Sequence, residues 1–182
     1  AMLRARADEK MLQLALALDP ALPGQVIGDP VRLGQVLSNL LGNALKFTEK
    51  GGVTLQVVLQ SLQPQVATIR FEVIDSGIGI AYEHQTLLFQ AFTQADNSIT
   101  RRFGGTGLGL SISSELVRLM GGELRFASTP GAGSTFAFSA RFRLPDTYAA
   151  DITCDVLTSQ PDYQLNLLEL RTCIDELQQL LD

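Results

Sequence analysis

The chain has 182 residues, 46% of them hydrophobic, and a formal net charge of −5 at pH 7. That length allows one substantial hydrophobic core and a short appended segment. The negative charge argues against sequence-independent binding to nucleic acid or to an anionic membrane, because both need a basic surface.

The sequence also argues against a secreted or membrane-inserted chain. It contains no run of about 18 apolar residues, and its N-terminus lacks the residue order of a signal peptide. Cys154 and Cys173 match no metal-ligand spacing, which favours a reduced, cytoplasmic setting over a disulfide framework. The opening Ala-Met is typical of an expression remnant, and residues 1–9 are interpreted as that remnant followed by the end of a linker.

The hydrophobic pattern changes its period between Gly and Pro residues, as is typical of an α/β domain. Residues 11–17 alternate loosely, as in a β-strand. Asp29 and Pro30 are suited to the N-cap and the first turn of a helix. Apolar residues at 3.6-residue spacing extend this predicted helix to Phe47.

Two stretches rich in β-formers, 53–60 and 66–75, flank a polar turn and predict a β-hairpin. A glycine-rich, loop-like region over 76–107 then contains a short apolar piece at 87–92. It leads to a second predicted helix over 108–120.

Two further predicted strands, 123–127 and 134–142, flank a tight turn at residues 130–133. The globular domain is expected to span residues 10–145. Residues 146–182 follow as a tail with leucines three and four residues apart. That helical pattern could dock on the domain, form a dimer helix or lead to a further domain, and the sequence leaves all three open.

One face of the first predicted helix carries polar residues three and four apart: Arg32, Gln35, Asn39, Asn43 and Lys46. A carboxamide oxygen suits Mg²⁺, and a lysine one turn away can meet a phosphate. The pattern therefore suits a magnesium nucleotide. The alternative, which this helix alone leaves open, is an ordinary solvated face.

Asp75 is the last residue of a predicted strand whose alternate residues are apolar, so its carboxylate is expected to face the core. A buried carboxylate needs a hydrogen-bond donor, and the exocyclic amine of a purine is one candidate. Gly77 and Gly79 follow, where a flat ring or another backbone could come close. An Asp in an ordinary glycine turn is the alternative.

Residues 101–110 form the strongest single motif, with two arginines and four glycines directly before a helix. Backbone N–H groups at a helix N-terminus bind anions together with guanidinium groups, and glycines let a loop wrap a phosphate or close as a lid. The segment lacks the Gly-Lys-Ser/Thr ending of a P-loop and the setting of a Rossmann fingerprint. A flexible glycine linker is the alternative.

In this order the motifs resemble those of the ATP-binding catalytic domain of sensor histidine kinases, in the GHKL superfamily. The resemblance covers about residues 10–145. The N box, first glycine box, F box, second glycine box and last glycine box match residues 39–48, 75–79, 88–92, 104–109 and 131–136. The stretch 92–107 is especially similar to hybrid sensor kinases, whose chains continue into receiver domains.

The resemblance implies a two-layer α/β sandwich with a mixed β-sheet, helices packed on one face and the Bergerat ATP-binding fold. It implies ATP and Mg²⁺ as ligands, with Asn43 and Asn39 at the metal and Asp75 at the adenine amine. Lys46 and the two arginines would meet phosphates. The implied nucleotide-binding residues are Asn39, Asn43, Lys46, Phe47, Asp75, Gly77, Gly79, Ile80, Phe89, Arg101, Arg102, Gly104, Gly105, Thr106, Gly107, Leu108, Gly109, Leu110 and Thr135.

The function implied is presentation of Mg–ATP for phosphoryl transfer to a histidine on a separate helical dimerisation and phosphotransfer domain. A receiver domain or response regulator would be a further partner. The domain would lie on the cytoplasmic side of an inner-membrane sensor. The alternative is a nucleotide-binding regulatory or interaction module without kinase activity.

Two residues bear on the type of reaction. ATP-hydrolysing members of the superfamily place a Glu four residues before the metal-binding Asn, where this chain has Asn39, an amide that cannot take a proton. The single histidine, His84, lacks the acidic and helical context of the family's phosphoacceptor motif and is expected to be a surface residue. The chain is therefore expected not to autophosphorylate alone.

Overall fold

The computed structural model describes residues 2–86, 88 and 108–145. It contains a five-stranded mixed sheet in the order β1-β2-β3-β5-β4, with β1 parallel to β2 and the other neighbours antiparallel. The strands are β1 Gln13–Leu18, β2 Gly52–Gln63, β3 Val66–Asp75, β4 Leu124–Thr129 and β5 Gly133–Arg143, and the helices are α1 Met2–Glu9, α2 Pro30–Phe47, α3 Tyr82–Gln85 and α4 Gly109–Leu119. The predicted two-layer α/β fold is confirmed.

Helix α2 begins where the sequence predicts. Asp29 accepts the N–H of Arg32 at 3.1 Å, and Pro30 occupies the first turn, where its missing N–H costs nothing. One side of the helix is buried against the sheet by Leu33, Val36, Leu37, Leu40, Leu41, Ala44 and Leu45. The 3.6-residue apolar spacing therefore produces the expected core-facing stripe.

The β2–β3 hairpin places alternate residues of each strand in the core. In β3 the buried positions run with a period of two from Ala67 to Asp75. The pairing register shifts between Leu59 and Ser61, and there Asp19 Oδ2 accepts the Leu59 N–H at 3.1 Å. The loop after β1 is thereby attached to the irregularity in β2.

Aromatic rings fill the middle of the core between β3 and β5. Phe71 stacks on Phe138 with ring centroids 5.0 Å apart and meets Phe142 edge-on at 6.2 Å. All three side chains are at most 2% exposed. These rings hold together the two strands whose ends meet at Asp75 and Ser134.

The helix α1 lies within residues 1–9, for which the sequence predicts an expression remnant followed by the end of a linker. It ends in a turn with the Schellman pattern, in which Leu12 N–H donates to Ala7 O at 2.9 Å and Met11 N–H donates to Asp8 O at 3.0 Å. Met11 has φ 55°, the left-handed conformation that this turn requires. Ala7 and Leu12 are buried in the core, so α1 packs on the domain.

The apolar piece at 87–92, apart from Leu88, and the tail at 146–182 lie outside the described residues. Among the helices that the structure does describe, none has the length and apolar character needed to cross a membrane.

Candidate functional site

Asp75, at the end of β3, is 9% exposed. Its Oδ1 accepts the backbone N–H of Gly77 at 2.9 Å and that of Ser134 at 3.3 Å. Burial raises the pKa of the Asp75 carboxyl, and these two hydrogen bonds oppose that rise. Within the described part of the chain no donor is hydrogen-bonded to Oδ2, so one oxygen is fixed while the other can accept from a ligand.

The glycine loop, residues 76–80, passes between the end of α2 and the β4–β5 turn. The Ile78 N–H donates to Phe47 O at 3.2 Å, and Ile78 O accepts the Gly131 N–H at 2.7 Å. A Cβ at Gly77 would lie 2.5 Å from Phe47 O. Gly79 has φ +66°, and a Cβ there would collide with a backbone oxygen of the β4 end. Close backbone approach therefore requires both predicted glycines.

The end of the glycine loop is held by side chains that the sequence did not single out. Ser128 Oγ accepts the Ile80 N–H at 2.9 Å and lies 3.0 Å from Ser134 Oγ. Gln85 Nε2 donates to Ile80 O at 2.9 Å and to Ser128 O at 3.2 Å. Ser and Gln are common on exposed turns, and only the tertiary fold shows that these residues position Ile80.

The polar face of α2 divides into two parts. Arg32 and Gln35 are exposed, and Arg32 pairs with the N-cap Asp29 at 2.9 Å. Asn39, Asn43 and Lys46 are half-buried farther along the helix. In this second part Asn39 contacts Ser113 of α4, and Lys46 precedes Phe47, whose carbonyl accepts the Ile78 N–H of the glycine loop. The solvated-face interpretation therefore suits the first part.

Asn39 connects α2 to the start of α4. Its Nδ2 donates to the buried Ser113 Oγ at 2.8 Å. A Cβ at Gly109 would lie 2.5 Å from Asn39 Oδ1, so this glycine permits the close approach of the two helices. Leu108 and Leu110, on either side of Gly109, are half-buried.

Lys46 and Phe47 lie on the last turn of α2. Lys46 Nζ is 4.9 Å from the centroid of the Phe47 ring, a distance at which a cation and an aromatic ring attract each other. Burial lowers the pKa of the Lys46 ammonium. A cation and a half-buried aromatic ring are therefore adjacent to the glycine loop.

Thr135 does not meet Asp75. In the β3–β5 register Ser134 lies opposite Asp75, and Thr135 lies opposite Ile74. Because side chains alternate between the faces of a sheet, the Thr135 side chain lies on the other face from the Asp75 carboxylate. The residue of the last glycine box that contacts Asp75 is Ser134, which is not among the site residues predicted from the sequence.

His84 lies in the one-turn helix α3 and is half-buried, whereas the sequence predicted a loop and a surface position. The remaining predicted site residues, Phe89, Arg101, Arg102, Gly104, Gly105, Thr106 and Gly107, lie outside the described residues.

Comparisons with known proteins agree with this geometry. Residues 28–146 match the family described as histidine kinase-, DNA gyrase B- and HSP90-like ATPase. The chain is 41% identical to the signal transduction histidine-protein kinase BarA of Escherichia coli K12, with 85% of this chain and 19% of BarA covered. It is 45% identical to hybrid signal transduction histidine kinase B of Dictyostelium discoideum, with 76% of this chain and 7% of that protein covered. The chain thus spans less than a fifth of either relative.

Among solved structures, full-length ShkA in complex with AMPPNP superposes with a TM-score of 0.67 at 38% sequence identity. That match covers 79% of this chain and 28% of ShkA. The family match includes α2, the glycine loop, α4 and the strands between them. The chain therefore belongs to the histidine kinase-, DNA gyrase B- and HSP90-like ATPase family, as an ATP-binding catalytic domain of the two-component sensor histidine kinase type.

Proposed function

We propose that this chain binds Mg–ATP between α2, the glycine loop and α4 and presents the γ-phosphate to a histidine on a separate helical domain. The observation that carries the proposal is the state of the Asp75 carboxylate. It is buried, two backbone N–H groups hold Oδ1, and Oδ2 has no donor among the described residues. An adenine amine would supply that donor and offset the cost of burying the carboxylate.

The metal and the phosphates would lie along α2. The half-buried Asn43 side chain forms no hydrogen bond within the part of the chain that the structure describes, so its amide oxygen can face a cation. No group of three or more His, Cys, Asp or Glu among the described residues could hold a metal. A site with few protein ligands suits Mg²⁺, which usually takes one or two protein oxygens, substrate phosphates and water.

Asn39 would be the second amide at the metal, because its Nδ2 donates a hydrogen bond to Ser113 Oγ and its Oδ1 can then coordinate the metal. Mg²⁺, when bound, would neutralise charge on the transferred phosphoryl group. Lys46, Arg101 and Arg102 would contact the phosphates, and the glycines at 104–109 would supply backbone donors.

The chain's own contribution would be to position the nucleotide. Phosphoryl transfer needs alignment and charge stabilisation more than covalent catalysis. Asn39 occupies the position at which hydrolytic relatives place a Glu, and an amide bonded to Ser113 cannot activate water. Transfer to a histidine acceptor is therefore favoured over ATP hydrolysis. His84 is not proposed as that acceptor, because it lies in a single helical turn.

The proposed partners, parent protein, location and domain bounds rest on the resemblance to sensor histidine kinases. The proposed partners are a helical dimerisation and phosphotransfer domain and a receiver domain or response regulator. The parent is proposed to be a hybrid kinase, with this domain on the cytoplasmic side of an inner membrane. Residues 10–145 are proposed as the catalytic domain, with α1 docked on it and residues 146–182 as an appended segment.

The binding part of the proposal is tested by calorimetric titration with ADP and a non-hydrolysable ATP analogue, with and without Mg²⁺. We expect Asp75→Asn to weaken binding about tenfold to a hundredfold, because an amide nitrogen would then face the adenine amine. Asn43→Ala should remove the response to Mg²⁺ while ADP still binds. The exposed Asp8→Asn is the matched control. If wild type fails to bind under every condition, the proposal is wrong.

The transfer part is tested by mixing the chain and labelled ATP with a helical phosphotransfer domain that carries the acceptor histidine. Appearance of label on the helical domain, and its absence in an acceptor His→Ala variant, would support a kinase. Nucleotide binding without transfer to any such domain would instead favour the regulatory module.

A further inference from the structure

The Lys10 side chain caps the C-terminal end of α2. Its Nζ donates to the carbonyl oxygens of Leu45 at 2.7 Å, Lys46 at 2.9 Å and Thr48 at 3.2 Å. A helix leaves its last four carbonyl groups without partners inside the helix, and this end carries a partial negative charge. Because an ammonium group has three N–H donors, Lys10 can use all of them here while offsetting that charge.

The same helix end supports the glycine loop. Phe47 O, the last carbonyl of α2, accepts the Ile78 N–H at 3.2 Å. Gly77 lies against this carbonyl so closely that a Cβ would be 2.5 Å from it. The Lys46 and Phe47 side chains project from the same turn. Lys10 therefore contacts the turn that positions both the loop and these two side chains.

The Lys10 side chain starts from a fixed point. It belongs to the Schellman turn that ends α1, directly before the left-handed Met11. Ala7 and Leu12, on either side of this turn, are buried. The ammonium group is thus held by a packed turn and reaches a helix end 35 residues away in the chain, at Leu45.

We propose that Lys10 is a positioning residue of the nucleotide site, acting through the last turn of α2. The proposal rests on the ATP-binding function proposed above. Without the ammonium group, the Leu45 and Lys46 carbonyls lose the partner given by Lys10. The last turn of α2 then loosens, and the Ile78 hydrogen bond to Phe47 O loosens with it. The position of α1 is thereby linked to the site.

The test compares Lys10→Met, which removes the ammonium group from a side chain of similar length, with Lys10→Arg, which keeps a positive charge and donors. Lys50→Met is the matched control, because Lys50 is exposed and its side chain makes no hydrogen bond or ion pair with the described residues. The dissociation constant for ADP and the hydrogen-exchange rate of the Ile78 amide are measured where every variant is folded.

We expect Lys10→Met to weaken ADP binding by about fivefold or more and to accelerate exchange of the Ile78 amide. Lys10→Arg should keep the ADP affinity and the Ile78 exchange rate close to the wild-type values, and Lys50→Met should change neither quantity. Should Lys10→Met not fold, Lys10→Gln, which keeps amide donors without the charge, is taken through the same two measurements.

Unchanged ADP affinity and Ile78 exchange in the Lys10 variants, even with a lower Tm, would overturn the inference and leave the proposed ATP binding intact. An equal loss of affinity in Lys50→Met would also overturn it, since net charge and not the helix-end contact would then set the affinity. If wild type binds no ADP, both the positioning role and the proposed function fail.

Discussion

The backbone N–H of Ser134 donates to Asp75 Oδ1 across the β3–β5 pair, at 3.3 Å. The two residues lie directly opposite each other in the sheet. The carboxylate is therefore oriented by the neighbouring strand as well as by its own glycine turn. Because the donor is a backbone group, the last glycine box contributes to the site mainly through the position of β5 relative to β3. The chemistry of any one side chain matters less.

This register predicts that the Thr135 side chain is dispensable for nucleotide binding. Thr135→Val should change the dissociation constant for ADP by less than about twofold, because this side chain lies on the other face of the sheet from Asp75. Ser134→Pro, which removes the backbone donor to Asp75, should weaken binding far more. Ser134→Ala, which keeps that donor, separates the effect of the N–H from that of the hydroxyl. A large loss in Thr135→Val would contradict the register argument.

The raised pKa of Asp75 predicts how stability depends on pH. As pH rises above the ordinary aspartate pKa, the unfolded chain loses this proton first and the folded chain retains it. The contribution of Asp75 to the free energy of unfolding should therefore fall with rising pH until the raised pKa is passed, and then level off. Urea denaturation from roughly pH 4 to pH 7 should show this fall relative to Asp75→Asn.

The exposed Asp8→Asn variant is the control for that pH series. The substitution removes one carboxylate from the surface of α1 and leaves Asp75 intact, so it controls for the loss of one charge. A difference between wild type and Asp75→Asn that is flat or rises with pH would show that hydrogen bonding outweighs burial at this carboxylate.

Two glycines should respond in opposite directions to substitution by alanine. Gly79→Ala should lower the free energy of unfolding by about 2 kcal/mol or more, because the left-handed φ of +66° and the nearby Thr129 carbonyl both oppose a Cβ. Gly42 lies in the middle of α2 with open space around it, so Gly42→Ala should raise the free energy of unfolding by about 0.5–1 kcal/mol. Urea denaturation measures both, and equal destabilisation would rule out the steric explanation.

Met11 is predicted to limit stability. It is 91% exposed, so little packing offsets the cost of its left-handed φ of 55°. Met11→Gly should raise the free energy of unfolding by about 0.5–1 kcal/mol, since relief of this strain exceeds the greater chain entropy of glycine in the unfolded state. Met11→Ala keeps a Cβ and should bring little of that gain. An equal gain in both variants in thermal and urea denaturation would argue that the methionine side chain itself destabilises.

Local patterns in the sequence were enough to predict most elements of the fold. The apolar spacing of α2, its Asp29–Pro30 start and the alternation in β3 act within a few residues, so they can be read without the partner surfaces. The same alternation correctly predicted that Asp75 faces the core. The glycines at 77 and 79 were also recognisable, because few other residues tolerate such close backbone approach.

The tertiary structure decided which groups meet at the site. Whether Ser134 or Thr135 faces Asp75 depends on the pairing of β3 with β5, and a one-residue difference in position changes the face of the sheet. The partner of Lys10 depends on α1 packing beside a helix end far along the chain. Sequence periodicity determined the elements because it is local, and only packing could bring such distant side chains and backbone groups into one site.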